Sequence, residues 1–274
     1  MIIDELRLTY GNNQDKNPLF IRNLLKEQLQ YYILNFIYNS PYAELFLLKG
    51  GTCLRSCFGL PRLSEDLDFD IEEFKTFSHD QFVKDLKTYF KSKLQYKDLE
   101  TKISGINKII YLKFPVLRSI GIPVNAQKPT DNILFVRIDL SPIQGKFYQK
   151  EVSLKSTHDF SFFIRRYALA DLFSGKITAI LKREKMAGKI KIPRFKGRDF
   201  FDIYWLKEKN VVWNSKYLSS LLNISSEREI KKKVNAKILE AVQRKSELKA
   251  DLLPFFENPA FVEDFVKNLE QMKF

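Results

Sequence analysis

Between Leu45 and Glu72 the chain reads LFLLKGGTCLRSCFGLPRLSEDLDFDIE, an order that few folds accommodate. A short apolar run ends at Lys49-Gly50-Gly51-Thr52, where glycine permits a tight turn and Thr52 can cap a new helix. Leu54, Cys57 and Phe58 form the buried stripe of that helix, and Gly59 and Pro61 end it. Leu67-Asp68-Phe69-Asp70-Ile71 then alternates as a strand does. On such a strand Asp66 and Asp68 share a face, about 7 Å apart along the chain, while Leu67 and Phe69 point into the core. Asp139, in the later segment FVRIDLS, offers a third carboxylate on a strand face shared with Phe135 and Arg137. Carboxylates grouped in this way suit magnesium, or manganese in its place, with waters or substrate phosphates completing the shell. Two ions held by three acids could activate an attacking oxygen and steady a leaving pyrophosphate. Backbone N–H groups of Gly50, Gly51 and Thr52 at a helix N-terminus would favour the phosphates of an NTP. The chemistry this implies is nucleotidyl transfer. A Walker A loop is absent, because Lys49 precedes the glycines rather than following them.

The remainder of the 274 residues sorts into two blocks. Residues 19–38 and 78–96 carry apolar residues at helical spacing, and residues 108–114 and 133–140 read as strands. From about Tyr167 the period is helical, over residues 167–185, 198–207, 226–248 and 259–272. The expected fold class is α+β: a mixed sheet with helices over residues 1–160, then a helical, basic domain over residues 161–274. Hydrophobic residues are 45% of the chain and aromatics 14%, which excludes a disordered protein. No apolar run is long enough to span a membrane, and residues 1–16 carry acids where a signal peptide needs positive charge, so a cytoplasmic location is expected. Cys53 and Cys57, four apart on one helix, read as small buried side chains; zinc is excluded because His79 and His158 stand apart.

Charge is unevenly spread. Residues 161–274 hold 24 Lys and Arg against 14 Asp and Glu, a net +10 of the chain's +13. Such an excess suits a polyanion. It is densest over residues 182–198, KREKMAGKIKIPRFKGR, with eight basic residues and one acid. Gly188, Pro193 and Gly197 mark this stretch as a loop. Lys182, Lys185, Lys189, Lys191, Arg194, Lys196 and Arg198, with Phe195 interleaved, would grip RNA through phosphates and stacking. Lys231-Lys232-Lys233 reads instead as a solvated helix face.

Lys49-Gly50-Gly51-Thr52-x-Leu54-Arg55, followed by Gly59-Leu60-Pro61-Arg62-x-Ser64-x-Asp66-Leu67-Asp68-Phe69, closely resembles the first motif of the AbiEii/AbiGii-type toxins, bacterial nucleotidyltransferases of the DNA polymerase β-like superfamily. Lys176-x-x-Ala179-x-x-x-Arg183 resembles their second motif, and Arg198-Asp199-x-x-Asp202-x-Tyr204-x-Leu206 their third. The resemblance implies that Asp66, Asp68 and Asp139 bind metal, and that Gly50, Gly51, Thr52, Arg55, Ser64, Arg183 and Asp202 surround the nucleotide. Lys176 and Asp199 would complete the catalytic set, with Lys176 on the nucleotide phosphates. It further implies a cognate antitoxin encoded by a neighbouring gene, and NMP transfer to the acceptor end of tRNA or to another RNA, halting translation and growth.

Blander readings exist for several of these residues. Lys176 and Lys182 read equally as solvated helix lysines, Asp199 as an acid favoured by a helix N-terminus, and Asp202 as an i,i+4 partner of Arg198. Phosphate on Ser64 would add about two negative charges beside the acids. Two other functions compete: NMP transfer to a protein hydroxyl, and a non-catalytic RNA-binding module.

Overall fold

A computed structural model describes residues 2–105, 109–157, 159–187 and 190–274, with backbone alone for residues 185–187 and 190–193. His158 and Lys189 therefore lie outside the described residues, as do the side chains of Lys185 and Lys191. The chain divides into two compact units. The first comprises residues 1–58, 63–143 and 152–166; the second comprises residues 59–62, 144–151 and 167–274.

The first unit is built on a seven-stranded mixed sheet. Its strands are β1 (Phe46–Lys49), β2 (Asp66–Ile71), β3 (Glu100–Ser104), β4 (Ile109–Phe114), β5 (Leu134–Pro142), β6 (Lys150–Ser156) and β7 (Ser161–Tyr167), in the order β3-β4-β5-β2-β1-β7-β6. Strand β2 is central, antiparallel to β1 and parallel to β5. Helices α1 (Ile2–Gly11), α2 (Pro18–Tyr38), α3 (Gly50–Phe58) and α4 (His79–Ser92) complete the unit. Asn17 starts α2 by accepting a hydrogen bond from the Leu19 N–H at 2.8 Å, and Pro18 supplies a helical φ at the first position. The core is aromatic: Phe46 packs on Phe69 and on Phe82, each at 5.1 Å between ring centroids, and all three are fully buried. Burying each such side chain contributes about 1.5–3 kcal/mol. Strands β3, β6 and β7 and helix α1 were not expected from the sequence.

The second unit contains α5 (Leu169–Lys182), α6 (Gly197–Glu208), α7 (Ser215–Leu222), α8 (Glu227–Val242), α9 (Lys245–Leu252) and α10 (Pro259–Asn268), with a hairpin of β8 (Glu184–Ala187) and β9 (Ile190–Pro193). Helix α5 packs on α6, α7 and α8, and α6 on α9. Phe201 anchors the far side, 4.8 Å from Phe256 and 5.3 Å from Phe265. Two expectations are corrected here. The basic stretch after α5 is a two-stranded hairpin rather than a loop, with Glu184 paired to Pro193 and Lys185 to Ile192. The helix expected over 226–248 is broken, with α8 ending at Val242 and α9 starting at Lys245. Among the described residues, no helix is long and apolar enough to cross a membrane.

Candidate active site

In the first unit, alternation along β2 and β5 places the acids as their spacing predicts. Leu67 and Phe69 are fully buried, Val136, Ile138 and Leu140 essentially so, while Asp66, Asp68, Arg137 and Asp139 are half-buried on the opposite face. Parallel pairing sets Asp68 directly beside Asp139, and Asp66 beside Arg137. Arg137 donates from Nη2 to Asp139 Oδ2 at 2.5 Å, and the fields of Asp66, Asp139 and Asp68 outweigh its burial and hold its guanidinium charged. Among the described residues, no three His, Cys, Asp or Glu side chains already converge into a metal-binding group. The donor set itself fits a hard divalent cation: three carboxylates on one sheet face, with a guanidinium standing among their charges.

Gly50 explains how the turn and the acids share space. Its φ is +75°, and a Cβ there would lie 2.5 Å from Asp68 Oδ2. The position therefore demands glycine twice, for its backbone and for the closeness of the carboxylate. Gly50→Ala should lower stability by about 1–3 kcal/mol, read as a fall in Tm, and should displace Asp68. Helix α3 begins at Gly50, so Thr52 lies within its first turn and does not cap it. Thr52 is buried instead; its hydroxyl meets Ser64 Oγ at 2.9 Å and donates to the Asp66 carbonyl, tying the helix to the start of β2. Ser64 is 7% exposed, and its carbonyl accepts from Gln30 Nε2 at 3.1 Å.

Arg55 turns to α2, where its Nε and Nη2 reach the Glu27 carboxylate at 2.9 and 3.2 Å. Arg55→Ala should cost no more than about 1 kcal/mol in a denaturant melt, since the guanidinium is partly solvated. Two participants were missed from the sequence. Asp70 continues the Asp66–Asp68 face but is buried, and Lys49 Nζ bridges it at 2.6 Å to Ser141 Oγ at 2.8 Å. The i+2 spacing from Asp68 to Asp70 was the available signal.

The second unit gathers the other motif residues into one buried ion network. Arg62 donates from Nε and Nη2 to the two carboxylate oxygens of Asp202, at 2.7 and 2.6 Å, with side chains 3% and 0% exposed. Lys176 Nζ lies 2.7 Å from Asp202 Oδ2 and 3.0 Å from Asp199 Oδ1. Arg183, just past the end of α5, reaches Asp199 Oδ2 at 2.8 Å. Burial opposes charge on both acids, but Lys176 and Arg183 hold Asp199 well below the carboxylate range, and Arg62 and Lys176 lower Asp202. Lys176 is itself buried and stays protonated through Asp199 and Asp202.

The local partnership that offered a blander reading of Asp202 does not form: its carboxylate is taken by Arg62 and Lys176. Arg198 is buried, lies 3.4 Å from Asp251 and stacks 4.0 Å over the Phe255 ring, so it is a structural cation here. Phe195 is also spoken for: its ring stacks on Phe200 at 5.6 Å and carries the Arg244 guanidinium at 4.2 Å, which corrects its expected role in stacking on RNA. Lys182 donates to the Leu221 carbonyl at 2.7 Å, whereas Arg194 is exposed. Lys231 and Lys233 pair with Glu227 and Glu229 one turn back, as a solvated helix face would.

A sequence model of the nucleotidyl transferase AbiEii toxins, a type IV toxin–antitoxin family, matches residues 33–269. The chain belongs to this AbiEii family. The match takes in the acids of β2 and β5, the glycine turn and the ion network of the second unit. Among solved structures, a candidate nucleotidyltransferase from H. pylori is 16% identical, with 90% of this chain and 94% of that one covered and a TM-score of 0.47. The protein JHP933 from Helicobacter pylori is likewise 16% identical, with coverages of 91% and 92% and a TM-score of 0.43. None of the curated proteins compared with the chain matches it.

Proposed function

We propose that this AbiEii-family toxin transfers a nucleoside monophosphate from an NTP to RNA, at the 3′ end of tRNA, and so blocks translation and growth. The observation that carries this reading is the register of Asp68 beside Asp139, with Asp66 on the same face and Gly50 against Asp68. Asp66, Asp68 and Asp139 would hold magnesium or manganese. A bound divalent ion would supply neutralising charge for the triphosphate and for the leaving pyrophosphate. Gly50 and Gly51 open α3, and the N–H groups of such a helix start would favour phosphate oxygens. Arg137 would exchange its hold on Asp139 for the substrate's negative charge. Lys176 acts as a positioning residue that fixes Asp199 and Asp202, because its ammonium is already shared between them. The net +10 of residues 161–274 favours RNA over protein as the acceptor. An antitoxin from a neighbouring gene would hold the activity in check.

Label transfer tests this. Purified protein, magnesium and each α-labelled NTP in turn are incubated with total RNA and with cell protein. Label in a tRNA-sized band is the expected result. Label on protein instead would establish the protein-modifying reading, and no transfer to either acceptor, with RNA still bound, would make the chain a binding module.

A further inference from the structure

The second unit contains a cleft of about 120 Å³ between the end of α5, the start of α6 and α8. Its charge is lopsided. Arg183, Arg194, Lys196, Lys237 and Arg244 line it against three carboxylates: Glu184, Asp199, which Lys176 and Arg183 engage, and Glu240, which Lys237 engages. Arg183, Lys237 and Arg244 are paired with Asp199, Glu240 and Glu247, which sets Lys196 and the exposed Arg194 apart. Among the described residues, no hydrogen bond and no ion pair within 4 Å holds the Lys196 ammonium, and burial and then Arg198 push its pKa down to about 8 against the pull of the Asp199 carboxylate. Desolvating a cation without a partner is costly, so a chain that keeps one in a cleft gains most when an anion completes it. Arg244 is held in place over Phe195, which itself rests on Phe200, and by Glu247, whose carboxylate accepts from its Nε at 2.9 Å and its Nη2 at 2.5 Å, so the cleft wall is prearranged. Both rings are engaged within the protein, and what the cleft offers a ligand is therefore charge rather than a stacking face.

We propose that this cleft is a phosphate-binding site, with Lys196 and Arg244 as its principal contacts. A phosphodiester of the RNA acceptor and the phosphate tail of an NTP are the two sources of that group. The RNA source rests on the function proposed above, whereas binding of phosphate as such does not. Sequence-independent contacts of this kind position a polynucleotide without reading its bases.

The test is direct binding to the full chain in the presence of a chelator, with inorganic pyrophosphate as the calorimetric probe. Lys196→Met should weaken pyrophosphate binding at least tenfold and raise Tm, because it removes a desolvated charge. Arg244→Ala, whose side chain is more exposed, should weaken it at least threefold. Unchanged binding in both variants would overturn the proposal, as would absence of binding to the wild type at millimolar pyrophosphate. Loss of binding in Lys196→Met accompanied by a lower Tm would also overturn it, marking the lysine as a structural support. A single-stranded RNA dodecamer and a metal-free NTP then separate the sources: the ligand whose affinity falls with Lys196→Met is the one the cleft serves. If pyrophosphate binds as expected but no label is transferred to RNA, the functional reading fails and the site stands.

Discussion

Asp202→Ala is expected to lower the stability of the protein by about 3–5 kcal/mol, the usual cost of leaving buried charge unpaired. Two cations depend on this carboxylate. Arg62 is bonded to it through both arms, and Lys176 is 2.7 Å away, with all three side chains at most 10% exposed. Chemical denaturation followed by circular dichroism should show the midpoint fall with little change in slope. A loss under 1 kcal/mol would mean that the network is solvated. Acid should act in the same direction. Because Asp202 and Asp199 titrate below their ordinary value of 3.8 in the folded chain, their contribution is complete above about pH 4. It drains away as pH falls through the lower folded-state values. Asp202→Asn should therefore flatten the acid limb of the stability profile.

Asp68→Ala should reduce nucleotidyl transfer by about a thousandfold, the scale seen when a group that stabilises developing charge is removed. Asp68 is paired in register with Asp139, and its carboxylate lies against the Gly50 turn. The fold should survive, because Asp68 is half-buried on the face opposite the core. Steady-state transfer rates at saturating NTP, measured beside thermal melts, separate the two effects. A variant that retains a tenth of the activity would remove Asp68 from the chemistry. Asp66→Ala should behave similarly.

Much of this arrangement was legible in the chain itself. Period-two alternation in DLDFDI and FVRIDL placed Asp66, Asp68 and Asp139 on one side of adjacent strands, and the glycine pair marked the start of α3. What escaped has physical causes. Strands β3 (ETKIS) and β6 (KEVSLKS) lie at the two edges of the sheet, where little is buried, so each carries at most two apolar residues and reads as a polar segment. The i+2 spacing pointed to Asp70 but not to its partner, because the pairing of Lys49 with it across adjacent strands is set by register, which no single segment reveals. For Asp202 the local alternative was a partner four residues away, whereas its carboxylate is held by Arg62, 140 residues distant in sequence. Local spacing ranks local partners and is blind to those brought in by tertiary packing.

Strand β2 has a consequence for motion. With three strands on one side and three on the other, its amides are hydrogen-bonded on both flanks. Opening any one of them requires the whole sheet to come apart, so the amides of Asp66–Ile71 should be among the slowest in the protein to exchange with heavy water. The carboxylates they carry would then keep their spacing through every fluctuation short of global unfolding.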